Sequence, residues 1–166
     1  MLAERGLGLV CGGARVGLMG IVADAVLAAR GDATGVIPAA LVAKEIAHSG
    51  LTELRIVSSM HERKALMAEL SDAVIAVPGG WGTLEEFFEV LTWTQLGLHQ
   101  KPCGLLNVLG YFDGLLSFLE HSVAEGFLKR EYRSMIAVSA SPAALLEQLG
   151  SLAVPTVEKW VDRAET

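Results

Sequence analysis

Short apolar runs alternate along this chain with longer stretches in which apolar residues recur every three to four positions. Continuous apolar runs bounded by Gly or Pro predict strands buried on both faces. The longer periodic stretches predict helices, and the alternation of the two is the pattern of a parallel sheet covered by helices. Strands are predicted at 7–10, 34–37, 54–57, 73–77, 104–108 and 136–138, and helices at 16–29, 39–47, 62–70, 83–98, 112–125 and from Pro142 onward. The expected class is therefore α/β. The punctuation agrees with this division: Gly12-Gly13 ends the first run, Gly31 closes the first helix, Pro38 stops the second strand, and Pro78-Gly79-Gly80 cuts off the run at 73–77. No internal repeat, linker or low-complexity segment interrupts the series.

Composition narrows the picture. A chain of 166 residues, 52% of them hydrophobic, has enough apolar surface to close one core, so a single domain over 1–166 is expected. A formal charge of -6 argues against nucleic acid as a partner, because phosphate-backbone surfaces rest on clustered Lys and Arg. One bound phosphate needs only local positive charge. The apolar stretch around Val16 is cut by Arg15 and Asp24, well short of the ~20 residues that span a bilayer, so no membrane helix or signal peptide is expected. Cys11 and Cys103 lie far apart without metal-ligand spacing; they read as small core residues of a protein from a reducing compartment, the cytoplasm. The four histidines are scattered, His61-Glu62 lacks the second histidine of a zinc helix motif, and no serine sits in a nucleophile elbow.

In open parallel sheets the ligand crevice lies beyond the carboxyl ends of the strands, which directs attention to three segments: 12–20, 60–64 and 78–86. In the third, Gly79, Gly80 and Gly82 link a buried strand to a helix and let backbone amides approach a phosphate without Cβ obstruction. The same segment has a structural reading, since Thr83 and Glu86 have the spacing of a capping box that satisfies free amides at the helix start. Arg63 and Lys64 fall in the first turn of their predicted helix, where the dipole disfavours cations unless an anion offsets them; the alternative is a solvated surface pair. The stretch from Gly12 and Gly13 to Gly17 approximates a dinucleotide fingerprint, with Asp32 about twenty residues on. Ala14 stands where that fingerprint needs glycine, which favours a packing turn between strand and helix.

Three segments in this order resemble the Lonely Guy family, once labelled possible lysine decarboxylases: Gly-Leu-Met-Gly at 17–20, Met-His-Glu-Arg-Lys at 60–64 and Pro-Gly-Gly-Trp-Gly-Thr-Leu-Glu-Glu at 78–86. The segments at 95–99 and 104–108 extend the similarity, which covers all but about the last fifteen residues. The resemblance implies a Rossmann-like, doubly wound, mainly parallel sheet with helices on both faces, forming one nucleotide-binding domain. It implies hydrolysis of the N-glycosidic bond of cytokinin riboside 5′-monophosphates, or of AMP, to free base and ribose 5-phosphate, with no metal or organic cofactor and with homodimers or larger homo-oligomers. The family's catalytic pair falls on Arg63 and Glu86. Its substrate contacts fall on Glu45, Lys64, Gly80, Trp81, Gly82, Thr83, Leu84, Glu85 and Thr92, with Gly12, Gly13, Gly17 and Gly79 as turn or phosphate glycines.

On that reading the carboxylate of Glu86 stabilises an oxocarbenium-like state and activates water, while Arg63, whose guanidinium stays protonated, holds Glu86 ionised and orients phosphate or ribose. Family members begin with a strand ending in a Cys-Gly-Ser-Ser-like turn, whereas this chain opens on Met-Leu-Ala-Glu-Arg-Gly, so the domain is expected to be truncated by that strand. Two other functions compete: a nucleotide or cofactor carrier that uses the same turn without turnover, and lysine decarboxylation, for which no pyridoxal-phosphate lysine environment is recognisable. The apolar residues Phe87, Phe88, Trp93 and Leu98 are either a core-facing stripe or a surface for self-association.

Overall fold

A computed structural model describes residues 1–44 and 46–154, and the chain divides into two compact units, Met1–Ser71 and Asp72 onward. In the first unit β1 (Leu9–Cys11), β2 (Ala33–Pro38) and β3 (Glu53–Val57) form a parallel sheet in that order. The crossovers are α1 (Gly17–Ala28), which packs on β1 and β2, and the short α2 (Ala39–Val42), which packs on β2. After β3 comes α3 (Met60–Leu70), lying against all three strands. The central strand β2 is the most buried: Ala33, Val36 and Ile37 are fully enclosed, and only Thr34 is half-buried, as a strand flanked on both edges requires.

In the second unit β4 (Val74–Ala76), β5 (Cys103–Leu106) and β6 (Ile136–Ser139) form another parallel sheet in sequence order. The connecting helices are α4 (Trp81–Gln95), α5 (Asp113–Ala124) and the single-turn α6 (Arg130–Arg133), and α7 (Pro142–Ser151) follows β6. Because side chains alternate across a strand, β5 feeds two cores. Cys103 and Leu105 join Phe87, Phe112 and Leu119 of the α4/α5 side. Leu106 joins Leu145 and Leu149 of α7, and Gly104 lets α7 approach so closely that a Cβ would meet Leu145 at 2.9 Å. Helices thus cover both faces of this sheet. Full burial of Phe87 and Phe112 is worth about 1.5–3 kcal/mol each relative to exposure.

The class and parallel strands agree with expectation, and the six predicted strands are all present. Three helices differ. The stretch at 39–47 is helical only to Val42, because Ala47 instead forms an antiparallel bridge with Ala14 and the Arg15 amide donates to the Ile46 carbonyl at 2.9 Å. Helices α3 and α4 each start two residues before their predicted positions. Helix α6, four residues with three charges, carries no periodicity to read. Among the described residues no helix is long and apolar enough to cross a membrane.

Candidate functional site

In the first unit the glycine turn after β1 is built around Arg63. The Arg63 side chain is only 8% exposed, and its Nε donates to the Val36 carbonyl at 3.1 Å. A Cβ on Gly12 would collide with the guanidinium, so glycine there makes the seat for the arginine. Gly13 is left-handed (φ 71°) and rests on Gly35, whose own Cβ would come within 2.7 Å of the Gly13 Cα. Gly12 and Gly13 therefore read as packing positions, while Gly17, also left-handed (φ 61°), opens α1 with nothing near its missing Cβ.

The solvated-pair reading fails for Arg63, which is buried, and Lys64 is half-buried. Nor do the two cations crowd the positive end of the helix dipole. With Ser59 as N-cap and Met60 as first residue, Arg63 and Lys64 are the fourth and fifth residues, and the first turn holds the acidic Glu62. The capping chemistry expected on α4 is found here: the Glu62 amide donates to Ser59 Oγ at 3.1 Å, and Glu62 accepts from the Ser58 amide at 2.8 Å and the Ser58 hydroxyl at 2.6 Å. The two bonds from Ser58, the hydroxyl first and the amide second, hold the exposed Glu62 carboxyl below its ordinary range. Burial raises the Cys11 thiol in spite of the Gly13 amide and the Arg63 charge, which both pull it down. Glu45 lies outside the described residues.

In the second unit β4 runs through Pro78 and Gly79 into α4, whose N-cap is Gly80 with no side-chain cap. The capping-box expectation is thereby overturned: Thr83 is the third residue of the helix, not its cap, and its hydroxyl packs on Gly79, where a Cβ would collide with it. A Cβ at Gly80 or Gly82 would meet nothing within 4 Å, so packing does not require glycine at either place. Trp81 is 90% exposed beside them and Glu85 is exposed, whereas Glu86 is half-buried. Leu84 turns into the core with Phe87. Thr92 sits two turns on; its hydroxyl donates to the Phe88 carbonyl at 2.7 Å, and it lines an apolar cleft with Leu91, Gln95 and Leu119 rather than the helix start. Phe87 is buried and Phe88 packs on the same core, the core-facing alternative, while Leu98 beyond the helix is exposed.

Sequence reasoning missed Tyr111. Its hydroxyl donates to the Gly79 carbonyl at 2.8 Å and ties the loop after β5 to the glycine turn after β4. That loop is held by Asn107, which donates to Asp113 at 2.8 Å and accepts from the Phe112 amide at 2.7 Å. Cys103, 1% exposed, has its thiol raised to about 11 by burial, opposed by a hydrogen bond with Thr94. Both cysteines are free and buried, as core residues should be.

Comparison with known proteins adds three kinds of finding. The model of the family described as possible lysine decarboxylase matches residues 19–149. A cytokinin riboside 5′-monophosphate phosphoribohydrolase of Rhodococcoides fascians is 59% identical over 138 residues, 82% of this chain and 70% of that protein. A probable enzyme of the same name from Oryza sativa subsp. japonica is 51% identical over 89% of this chain and 66% of its own length, and a cytokinin riboside 5′-monophosphate phosphoribohydrolase of Arabidopsis thaliana is 48% identical over 95% and 74%. The chain thus spans about two thirds to three quarters of these relatives. Among solved structures, a molybdenum cofactor binding protein from the phototrophic bacterium Rippkaea orientalis is similar with a TM-score of 0.68 at 25% identity, over 90% of this chain and 80% of that one.

Proposed function

This chain belongs to the possible lysine decarboxylase family, that of the Lonely Guy proteins, and we propose that it hydrolyses the N-glycosidic bond of cytokinin riboside 5′-monophosphates or AMP. Water adds to the anomeric carbon, the bond to the base breaks, and free base and ribose 5-phosphate leave. The observation that carries the reading is the 59% identity to a phosphoribohydrolase across four fifths of the chain. The α4 start supports it, because an uncapped N-terminus with open space at Gly80 and Gly82 suits an anionic ligand.

Glu86 is proposed to stabilise positive charge on the sugar and to take the proton of the attacking water. Arg63 is proposed to orient phosphate or ribose, with Lys64 supplying further positive charge. Glu45, Trp81, Thr83, Leu84, Glu85 and Thr92 remain proposed substrate contacts, Leu84 through its backbone. The working form is proposed to be a homodimer or larger homo-oligomer, as the resemblance implies, in the cytoplasm, as the two free cysteines suit.

A second reading, a nucleotide or cofactor carrier without turnover, draws on the likeness to the molybdenum cofactor binding protein. Incubation with AMP and isopentenyladenosine 5′-monophosphate, with free base quantified by chromatography, separates the two. Release of base by the parent and its loss in Glu86→Gln is the expected result. Nucleotide binding without base release would transfer the assignment to the carrier.

A further inference from the structure

Among the described residues of the first unit, a further buried polar side chain besides Arg63 is one that the proposed chemistry does not use. His48 is 8% exposed, in the segment between α2 and β3. The Gly50 amide, which can only donate, reaches Nδ1 at 3.1 Å. Nδ1 is therefore the acceptor, the neutral ring carries its proton on Nε2, and Nε2 donates to the Asp24 carboxylate of α1 at 3.0 Å. The backbone of the same residue makes a third tie, its amide donating to the Gly13 carbonyl at 2.9 Å. The Arg15 amide to Ile46 carbonyl bond lies beside it, and Gly50 comes close enough that a Cβ would meet the imidazole at 3.3 Å.

We infer that His48, held by Asp24, is a positioning residue: it clamps segment 46–50 onto the Gly12–Gly13 turn and so fixes the seat in which the Arg63 guanidinium lies. The inference rests on the proposed role of Arg63 in binding phosphate or ribose. The His48 amide bonds the turn at Gly13 and the Arg15 amide bonds Ile46 just beyond it, while Asp24 and the Gly50 amide hold the imidazole. The turn's Gly12 contacts the guanidinium directly, so loosening the clamp frees the turn and lets Arg63 shift. Asp24, at 73% side-chain exposure, is the place to cut, because removing it opens no cavity in the core.

The test compares Asp24→Ala, which deletes the acceptor, with Asp24→Asn, which keeps a carbonyl oxygen for Nε2–H. Affinity for ribose 5-phosphate is measured by calorimetry, turnover of AMP by base release, and amide hydrogen exchange at Arg15, His48 and Gly50 by NMR. In Asp24→Ala, affinity falls and KM rises five- to tenfold, kcat stays within twofold, exchange at the three amides quickens at least tenfold, and the thermal midpoint holds. Asp24→Asn restores all of these. Unchanged exchange and affinity in Asp24→Ala, or equal damage in both variants, overturns the clamp, as does a loss that follows the thermal midpoint. A parent that binds ribose 5-phosphate but releases no base defeats the hydrolase reading alone, and affinity and exchange still decide the role of His48.

Discussion

Helices α3 and α4 both leave the carboxyl end of a parallel strand, yet their first turns are finished in opposite ways. The start of α3 is closed by its own residues: Ser59 accepts the Glu62 amide, and the Glu62 carboxylate turns back to Ser58. The start of α4 has a glycine N-cap, no capping side chain, and two glycines whose missing side chains would project into open space. A first turn satisfied internally has little left to offer a ligand; one left open keeps its amides and the positive end of its dipole for an anion. The two first turns thus separate stability from function, although α3 carries Arg63 and Lys64 beyond its capped turn, and four measurements test the separation.

The largest effect is expected at the acids that follow the two starts. Glu86→Gln should slow base release about 100-fold or more, the usual order for loss of an acid–base group. Glu62→Gln should leave turnover near the parent's. Similar losses in both would end the contrast.

Next is Gly82→Ala. Nothing obstructs the added methyl, and helix propensity should raise stability by about 0.5–1 kcal/mol in urea titration. If a nucleotide phosphate uses that opening, KM should nevertheless rise about tenfold, equivalent to ~1.4 kcal/mol of binding. A more stable variant with unchanged KM would show that the opening is not where the ligand lies.

Ser59→Ala reverses the pattern: about 1 kcal/mol of stability is lost with the cap, read from the urea midpoint, while KM and kcat hold. The smallest effect is in acid. The folded Glu62 carboxyl is held below its ordinary 4.5, so its contribution is fully present above pH 4.5 and is lost as pH falls through the depressed folded value. Urea midpoints between pH 6 and pH 3 should therefore fall slightly more steeply for the parent than for Glu62→Gln. Parallel curves would remove Glu62 from the cap.

How much of this was legible depended on the range of the signal. The strands were readable as short apolar runs stopped by Gly or Pro, 73–77 the clearest of them. The expectation that 73–77 is buried on both faces fails, since Ala76 is buried while Ile75 is 37% exposed on the other face. The start of α4 was misread because Thr83 and Glu86 mimic a capping box, and a glycine N-cap has no side chain to announce it. The stretch at 39–47 was given to a helix on local propensity, and tertiary pairing of Ala47 with Ala14 prevailed. Tyr111 gave no signal, because its partner is the Gly79 carbonyl, 32 residues away.

The sequence by itself determined the α/β class, the order of the strands and of every helix but the single-turn α6, and the family, since these rest on local periodicity and on contiguous segments such as 60–64 and 78–86. It also nominated Arg63 and Glu86. Only the tertiary structure decided that Arg63 is buried with its Nε on the Val36 carbonyl, that Gly12 is the floor beneath its guanidinium, and that His48 reaches Asp24 and Gly13. Each of these contacts joins residues distant along the chain. Local pattern fixes which face a side chain presents, but not which distant backbone folding brings against that face.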